Sequence, residues 1–104
     1  MSNIPQNESP RALALSTLLK IEENNSYANL SLDTALKHAS LTPADRRLFT
    51  AIVYGVIERR ITLDHIIDRL SSLPPSKIER TTRNILRMGL YQLIVSVYAL
   101  RVQC

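Results

Sequence analysis

Arg80, Arg83 and Arg87 recur at intervals of three and four residues, the spacing that gathers side chains on one flank of a helix. At about 100° per residue they lie opposite Ile78, Ile85, Leu86, Gly89 and Leu93, which share the other face. Three guanidinium groups on one flank can track a phosphate backbone, and guanidinium planes also stack on bases. A solvated helix face normally mixes signs, and this one does not, so the spacing predicts an RNA-contacting stripe. The charge map agrees: residues 1–76 carry eight cations and eight acids, so the net charge of +4 lies entirely in residues 77–104. Ten of the thirteen cations are Arg, which leans the same way, although Arg serves equally to solvate helix surfaces.

Other charged groups carry weaker signals. Asp45-Arg46-Arg47 opens a helix, and its arginines either contact phosphate or are plain surface charge behind a capping acid. Glu58-Arg59-Arg60 with Asp64 and His65 has the residue types of an acid–base cluster, but i,i+4 ion pairing at a solvated joint explains it better. His38 and His65 lack a Cys or a second His at metal-binding spacing, and with a single Cys no metal site is expected. Tyr54 and Tyr91 sit in apolar runs and read as core residues with bonded hydroxyls, whereas Tyr27 stands in a polar loop where base stacking is the less favoured option. Only two glycines occur, and neither a dinucleotide nor a P-loop pattern is present. The lone Cys, Cys104, excludes an internal disulfide and fits a reducing, cytoplasmic setting. Charges interrupt every apolar segment, so no membrane span is expected, and residues 1–10 lack the pattern of a secretion signal.

The elements that must position these groups are helical throughout. Ser9-Pro10 caps and starts a first helix that runs to Asn24-Asn25. A second covers about 28–39, with Leu32, Ala35 and Leu36 inward. Thr42-Pro43-Ala44-Asp45 starts a third, whose broad stripe of Leu48, Phe49, Ile52, Val53, Val56 and Ile57 implies burial between neighbours. A fourth bends away around Ile61-Thr62 and ends near Leu70, because Pro74-Pro75 forces a linker. Ser76-Lys77-Ile78-Glu79 reads as a capping box opening the fifth. From Leu90 onward that helix is apolar all round and needs a cover. The sequence therefore predicts an all-α bundle of about five helices.

Arg11-Ala12-Leu13-Ala14-Leu15 and Tyr27-Ala28-Asn29-Leu30 resemble the opening of NusB-like domains. Asp45-Arg46-Arg47-Leu48-Phe49, Val53-Tyr54-Gly55-Val56, Thr62-Leu63-Asp64 and Ile85-Leu86-Arg87-Met88-Gly89-Leu90-Tyr91-Gln92-Leu93 are similar to the N-terminal domain of Sun/Fmu-type ribosomal RNA methyltransferases. The resemblance implies a flexible N-terminus at 1–9, a NusB-like RNA-binding domain at 10–97 without the family's last helices, and a divergent tail at 98–104. It implies Arg11, Arg46 and Arg87 as RNA contacts, with Asp45, Gly55 and Asp64 as scaffold. The expected site is thus Arg11, Arg46, Arg80, Arg83 and Arg87, with no catalytic residue and no metal.

In the parent enzymes such a domain precedes one that uses S-adenosylmethionine and cysteine nucleophiles to methylate carbon 5 of an rRNA cytosine. This chain has no glycine-rich cofactor loop and no internal Cys, so it is expected to hold no cofactor and to catalyse nothing alone. Where family members continue into a Pro-containing loop and a further helix, residues 96–104 depart from the pattern. That departure suggests an artificial end of the chain, a truncated gene or a change of reading frame. The expected partners are ribosomal RNA and a C-terminal methyltransferase domain. The alternatives are a ribosomal protein, as in NusB-type transcription antitermination, and self-association through the apolar C-terminal helix.

Overall fold

The computed structural model describes residues 9–24 and 27–103, and these form five α-helices and one short 3-10 turn, with no strand among the described residues. The chain divides into two compact units, Met1–Tyr54 and Gly55–Cys104. The first holds α1 (Pro10–Asn24), α2 (Ala28–His38) and most of α3 (Pro43–Glu58). The second holds the end of α3, α4 (Arg60–Leu70) and α5 (Arg80–Gln103). Of the N-terminus expected to be flexible, residues 1–8 lie outside the described residues, as do Asn25, Ser26 and Cys104.

Capping chemistry in the first unit follows the sequence. The Ser9 hydroxyl accepts the Ala12 N–H at 3.0 Å, with Pro10 at the first helical position, where a missing N–H costs nothing. The Thr42 hydroxyl accepts the Asp45 N–H at 3.1 Å in the same way. Leu13, Ala14, Leu18 and Leu32 are buried, as are Phe49, Ile52 and Val53 of α3. Each of the larger side chains contributes about 1.5–3 kcal/mol by leaving water. The Tyr54 hydroxyl donates to Asn29 Oδ1, the bonded tyrosine expected from its place in an apolar run.

Two boundaries in the second unit differ from expectation. The break between α3 and α4 falls at Arg59 (φ −113°, ψ 17°), not at Ile61-Thr62. The Ser76–Glu79 box does not open α5. Pro75–Lys77 is instead a 3-10 turn closed by Lys77 N–H to Pro74 C=O (2.9 Å), and Ile78 is extended (φ −88°, ψ 117°). An extended Ile78 cannot lie within the first turn of a helix capped by Ser76. The first bond of α5 therefore runs from the Arg83 N–H to the Glu79 C=O at 2.8 Å.

Residues Arg80–Val102 of α5 are long and apolar enough to cross a membrane by length and composition, contrary to the expectation that charges would prevent it. The charges are nonetheless decisive for the first half of α5, as described below.

Gly55 is buried against α5. A Cβ there would overlap the ring of Tyr91, over which the Arg59 guanidinium also sits, 5.6 Å from the centroid. Gly89 is the opposite case: it is exposed, with no atom within 4 Å of an added Cβ. Gly55→Ala should therefore destabilise by about 1–3 kcal/mol through overpacking, while Gly89→Ala should be neutral or stabilise by up to about 1 kcal/mol through helix propensity. Urea unfolding of the two variants checks this, and equal effects would contradict it.

Candidate nucleic-acid interface

The outward arginine stripe on α5 is not what the fold builds. Arg87 is 5% exposed and the Arg83 side chain 14%, and both point at α4. Arg87 grips Asp64 with two parallel bonds, Nε to Oδ1 at 2.7 Å and Nη2 to Oδ2 at 2.8 Å. This forked geometry is the strongest form of carboxylate–guanidinium contact. Arg83 donates to Asp64 Oδ1 (3.2 Å), to Asp68 Oδ1 (2.9 Å) and to the Pro75 carbonyl (3.2 Å), so it ties α4, the linker and α5 together. Asn84, 1% exposed, completes the set: its Oδ1 accepts from Arg87 at 3.2 Å and its Nδ2 donates to the Arg80 carbonyl at 2.9 Å.

Burial of this network is tolerated because its charges are matched. Burial alone would push the Asp64 carboxyl up. The Arg87 hydrogen bonds and charge, reinforced by Arg83, outweigh it and hold the group below its ordinary value. Arg83 is held above its ordinary value chiefly by the Asp68 hydrogen bond, against the opposing effect of burial and with further help from Asp64.

The predicted inner face is correspondingly turned out. Ile85 is 51%, Leu86 43% and Leu93 60% exposed, while Asn84, Arg87 and Met88 point inward. Hydrophobicity selected the wrong side of α5 because the buried side is half polar. The signal that finds it is a match of spacings: Asp64 and Asp68 stand four apart on α4, as do Arg83 and Arg87 on α5.

Cations that do face solvent lie elsewhere. Arg80, the first residue of α5, is exposed, and so is Arg11 in the first turn of α1. Arg46 and Arg47 stand exposed in the first turns of α3, and their side chains bond to no other described residue. With Leu36, Thr50 and Ala51 they line a shallow groove of about 430 Å³. Arg47 was not among the expected contacts, although the Asp45-Arg46-Arg47 run singled it out. Tyr27, 83% exposed, precedes the first residue of α2. His38 and His65 are both exposed, and among the described residues no group of three His, Cys, Asp or Glu is placed to hold a metal. Both glycines, Gly55 and Gly89, lie inside helices.

Asp64→Asn should lower stability at neutral pH by about 3 kcal/mol, the lower end for breaking a buried pair because Asp64 keeps 27% exposure. The pH sign follows from the lowered carboxyl. The stabilisation is complete above the unfolded-state value and is lost as pH falls through the lower folded-state value. The wild-type chain should thus lose stability steeply below about pH 4, with a shallower acid limb in Asp64→Asn. Parallel limbs in a denaturant-by-pH series would contradict this assignment.

The NusB family profile matches residues 8–98. The “Probable ribosomal RNA small subunit methyltransferase B” of Synechocystis is 42% identical over 85 residues, covering 82% of this chain and 19% of that protein. The ribosomal RNA small subunit methyltransferase B of Thermus thermophilus is 40% identical over 81 residues, covering 77% of this chain and 20% of that protein. The transcription antitermination protein NusB of Ruminiclostridium cellulolyticum is 28% identical over 85 residues, covering 81% of this chain and 59% of that protein. No solved structure gives a significant match. The chain spans about a fifth of the length of the methyltransferases it matches. An all-helical chain, matched by the family profile from the residue before the Ser9 cap well into α5, belongs to the NusB family.

Proposed function

We propose that this chain is an RNA-binding NusB-like domain that positions ribosomal RNA for an S-adenosylmethionine-dependent cytosine-C5 methyltransferase domain. The carrying observation is the exposed pair Arg46 and Arg47 beside the Leu36–Thr50–Ala51 groove, two guanidinium groups with no carboxylate to neutralise them among the described residues. Arginine in this state offers forked contacts to phosphate oxygens, and the apolar groove floor gives a base edge or ribose somewhere to rest. Arg11, in the same unit, is exposed as well and is a further candidate contact; Arg80, in the second unit, is exposed too. Arg83 and Arg87 are left out of the proposed contact, since both are largely buried and paired with Asp64 and Asp68. The names of the methyltransferase relatives support ribosomal RNA as the ligand.

The mechanism is positional. The domain performs no chemistry and lowers the cost of bringing a target base to a catalytic partner by holding the RNA backbone in place. A second reading, a free-standing antitermination module that binds RNA and a ribosomal protein, is favoured by coverage: the chain matches 59% of the NusB relative against about a fifth of the methyltransferases.

Arg46→Gln with Arg47→Gln should weaken binding to a structured small-subunit rRNA fragment and flatten the slope of log K against log salt by roughly 1–2, as expected for two lost phosphate contacts. Unfolding stability should stay within about 0.5 kcal/mol of wild type, as for other surface changes. An unchanged salt slope in a folded variant would refute Arg46 and Arg47 as the contact.

A further inference from the structure

The groove between α1 and α2 encloses about 260 Å³ and lies wholly within the first unit. A seam between paired helices is ordinarily apolar. Here Ser16, Thr17 and Lys20 of α1 line it together with Ser31, Thr34 and His38 of α2, and among the described residues no Asp or Glu does. Ala14, Leu18 and Leu32, buried in the core of the unit, do not border it. We propose that this groove binds a ribose-phosphate unit, with the phosphate at Lys20 and the sugar hydroxyls along the Ser and Thr side chains.

Three observations carry the assignment. The first is Thr17, which is 3% exposed and whose hydroxyl bonds to no other described residue. Among the described residues every side-chain polar atom sealed from solvent has a partner. The Thr17 hydroxyl therefore opens onto the groove that its side chain lines. A hydroxyl with so little water around it and no protein partner is a hydrogen bond left for a ligand to make.

The second is the mixture of donors and acceptors. Ser16 Oγ donates to the Leu13 carbonyl at 3.0 Å, and Thr34 Oγ1 donates to the Leu30 carbonyl at 2.9 Å. With their hydrogens committed to the backbone, both oxygens meet the groove as acceptors. Thr17 and Ser31 keep their hydroxyl hydrogens uncommitted among the described residues and can donate. A bare phosphate is chiefly an acceptor and would leave the Ser16 and Thr34 oxygens unused, whereas sugar hydroxyls both donate and accept.

The third is charge and size. Lys20 supplies a fixed positive charge. Only residues 25–27 join α1 to α2, so the two helices run antiparallel and His38 stands at the far end of the groove from Lys20. A volume of 260 Å³ equals about nine waters at about 30 Å³ each, which suits a sugar with one phosphate and is tight for a base as well. A free sugar phosphate and one nucleotide of an RNA strand both offer this unit, and the inference does not rest on the Arg46–Arg47 contact.

Titration of the intact chain with ribose 5-phosphate, followed by amide chemical shifts at constant ionic strength, tests the proposal. Saturating shifts at Thr17, Lys20 and Ser31 are expected, with Kd on the order of 1 mM. Inorganic phosphate and ribose should each bind roughly tenfold more weakly or worse. Lys20→Gln should weaken binding by roughly tenfold, and Thr17→Val, which keeps the side-chain shape, by roughly fivefold. Lys37→Gln, a cation of α2 outside the groove, should leave it unchanged. Circular dichroism of each variant confirms that the helices persist. The source of the unit is read from a single-stranded RNA oligonucleotide and a DNA of the same sequence. If Thr17→Val erases a preference for the RNA, the strand is the source; if it does not, the free sugar phosphate is. Absence of saturation by ribose 5-phosphate up to about 20 mM overturns the proposal. So does inorganic phosphate that binds equally well, or Lys37→Gln that acts like Lys20→Gln, since either marks an unspecific anion contact. Binding of rRNA that persists without binding of ribose 5-phosphate leaves the Arg46–Arg47 contact standing, so the two failures are separable.

Discussion

Asp64 sits on α4 facing two guanidinium groups of α5, and its carboxylate accepts three hydrogen bonds from them. This contact fixes the rotation of α5 about its own axis. The alternative rotation would bury Ile85, Leu86 and Leu93 and release Arg83 and Arg87 to water, which hydrophobicity alone would favour. It would also strip Asp64 and Asp68 of their partners and leave Asn84 without its Arg87 donor. A paired, fully bonded network of this kind adds little net stability over an apolar core, yet disrupting it by half is costly. Its contribution is selection: among the ways α5 can lie on α4, only the observed one satisfies every polar group that is buried.

The same contact redistributes charge. Residues 77–104 contain five cations and one acid, which on paper makes them the basic end of the chain. Two of those cations are answered by carboxylates of α4, so the formal count overstates what a polyanion would meet there. Arg46 and Arg47 come from a stretch whose charges cancel in the count, but they remain unpaired among the described residues. Net charge by segment is thus a poor guide to a nucleic-acid surface when oppositely charged residues distant in sequence pair in space.

Legibility in the sequence tracked the range of the interaction involved. Ser9 and Thr42 caps act within three residues, and both form as their local sequence dictates. Five helices were readable, and Gly55, which the family resemblance implied as scaffold, lies where the ring of Tyr91 fills the space of a Cβ. The Ser76–Glu79 box satisfied the same local rule and yet did not start a helix. Pro74 and Pro75 bias the backbone into a 3-10 turn, and Arg83 holds the Pro75 carbonyl at 3.2 Å from six residues beyond the turn. The orientation of α5 depends on a pairing 19 to 23 residues apart in sequence, which no single-helix periodicity can register.

Exposure of the apolar side of α5 follows from that pairing and is not an independent property. On a helix, side chains that point at α4 and side chains that point away are set by one angle. Once Arg83 and Arg87 are committed inward, Ile85, Leu86 and Leu93 have nowhere to go but out. Removing the exposed face by substitution at those positions would leave the ionic contact intact. Removing the ionic contact would free α5 to rotate and bury the face. The electrostatic choice made at Asp64 is therefore the cause, and the sticky outer surface of α5 its consequence.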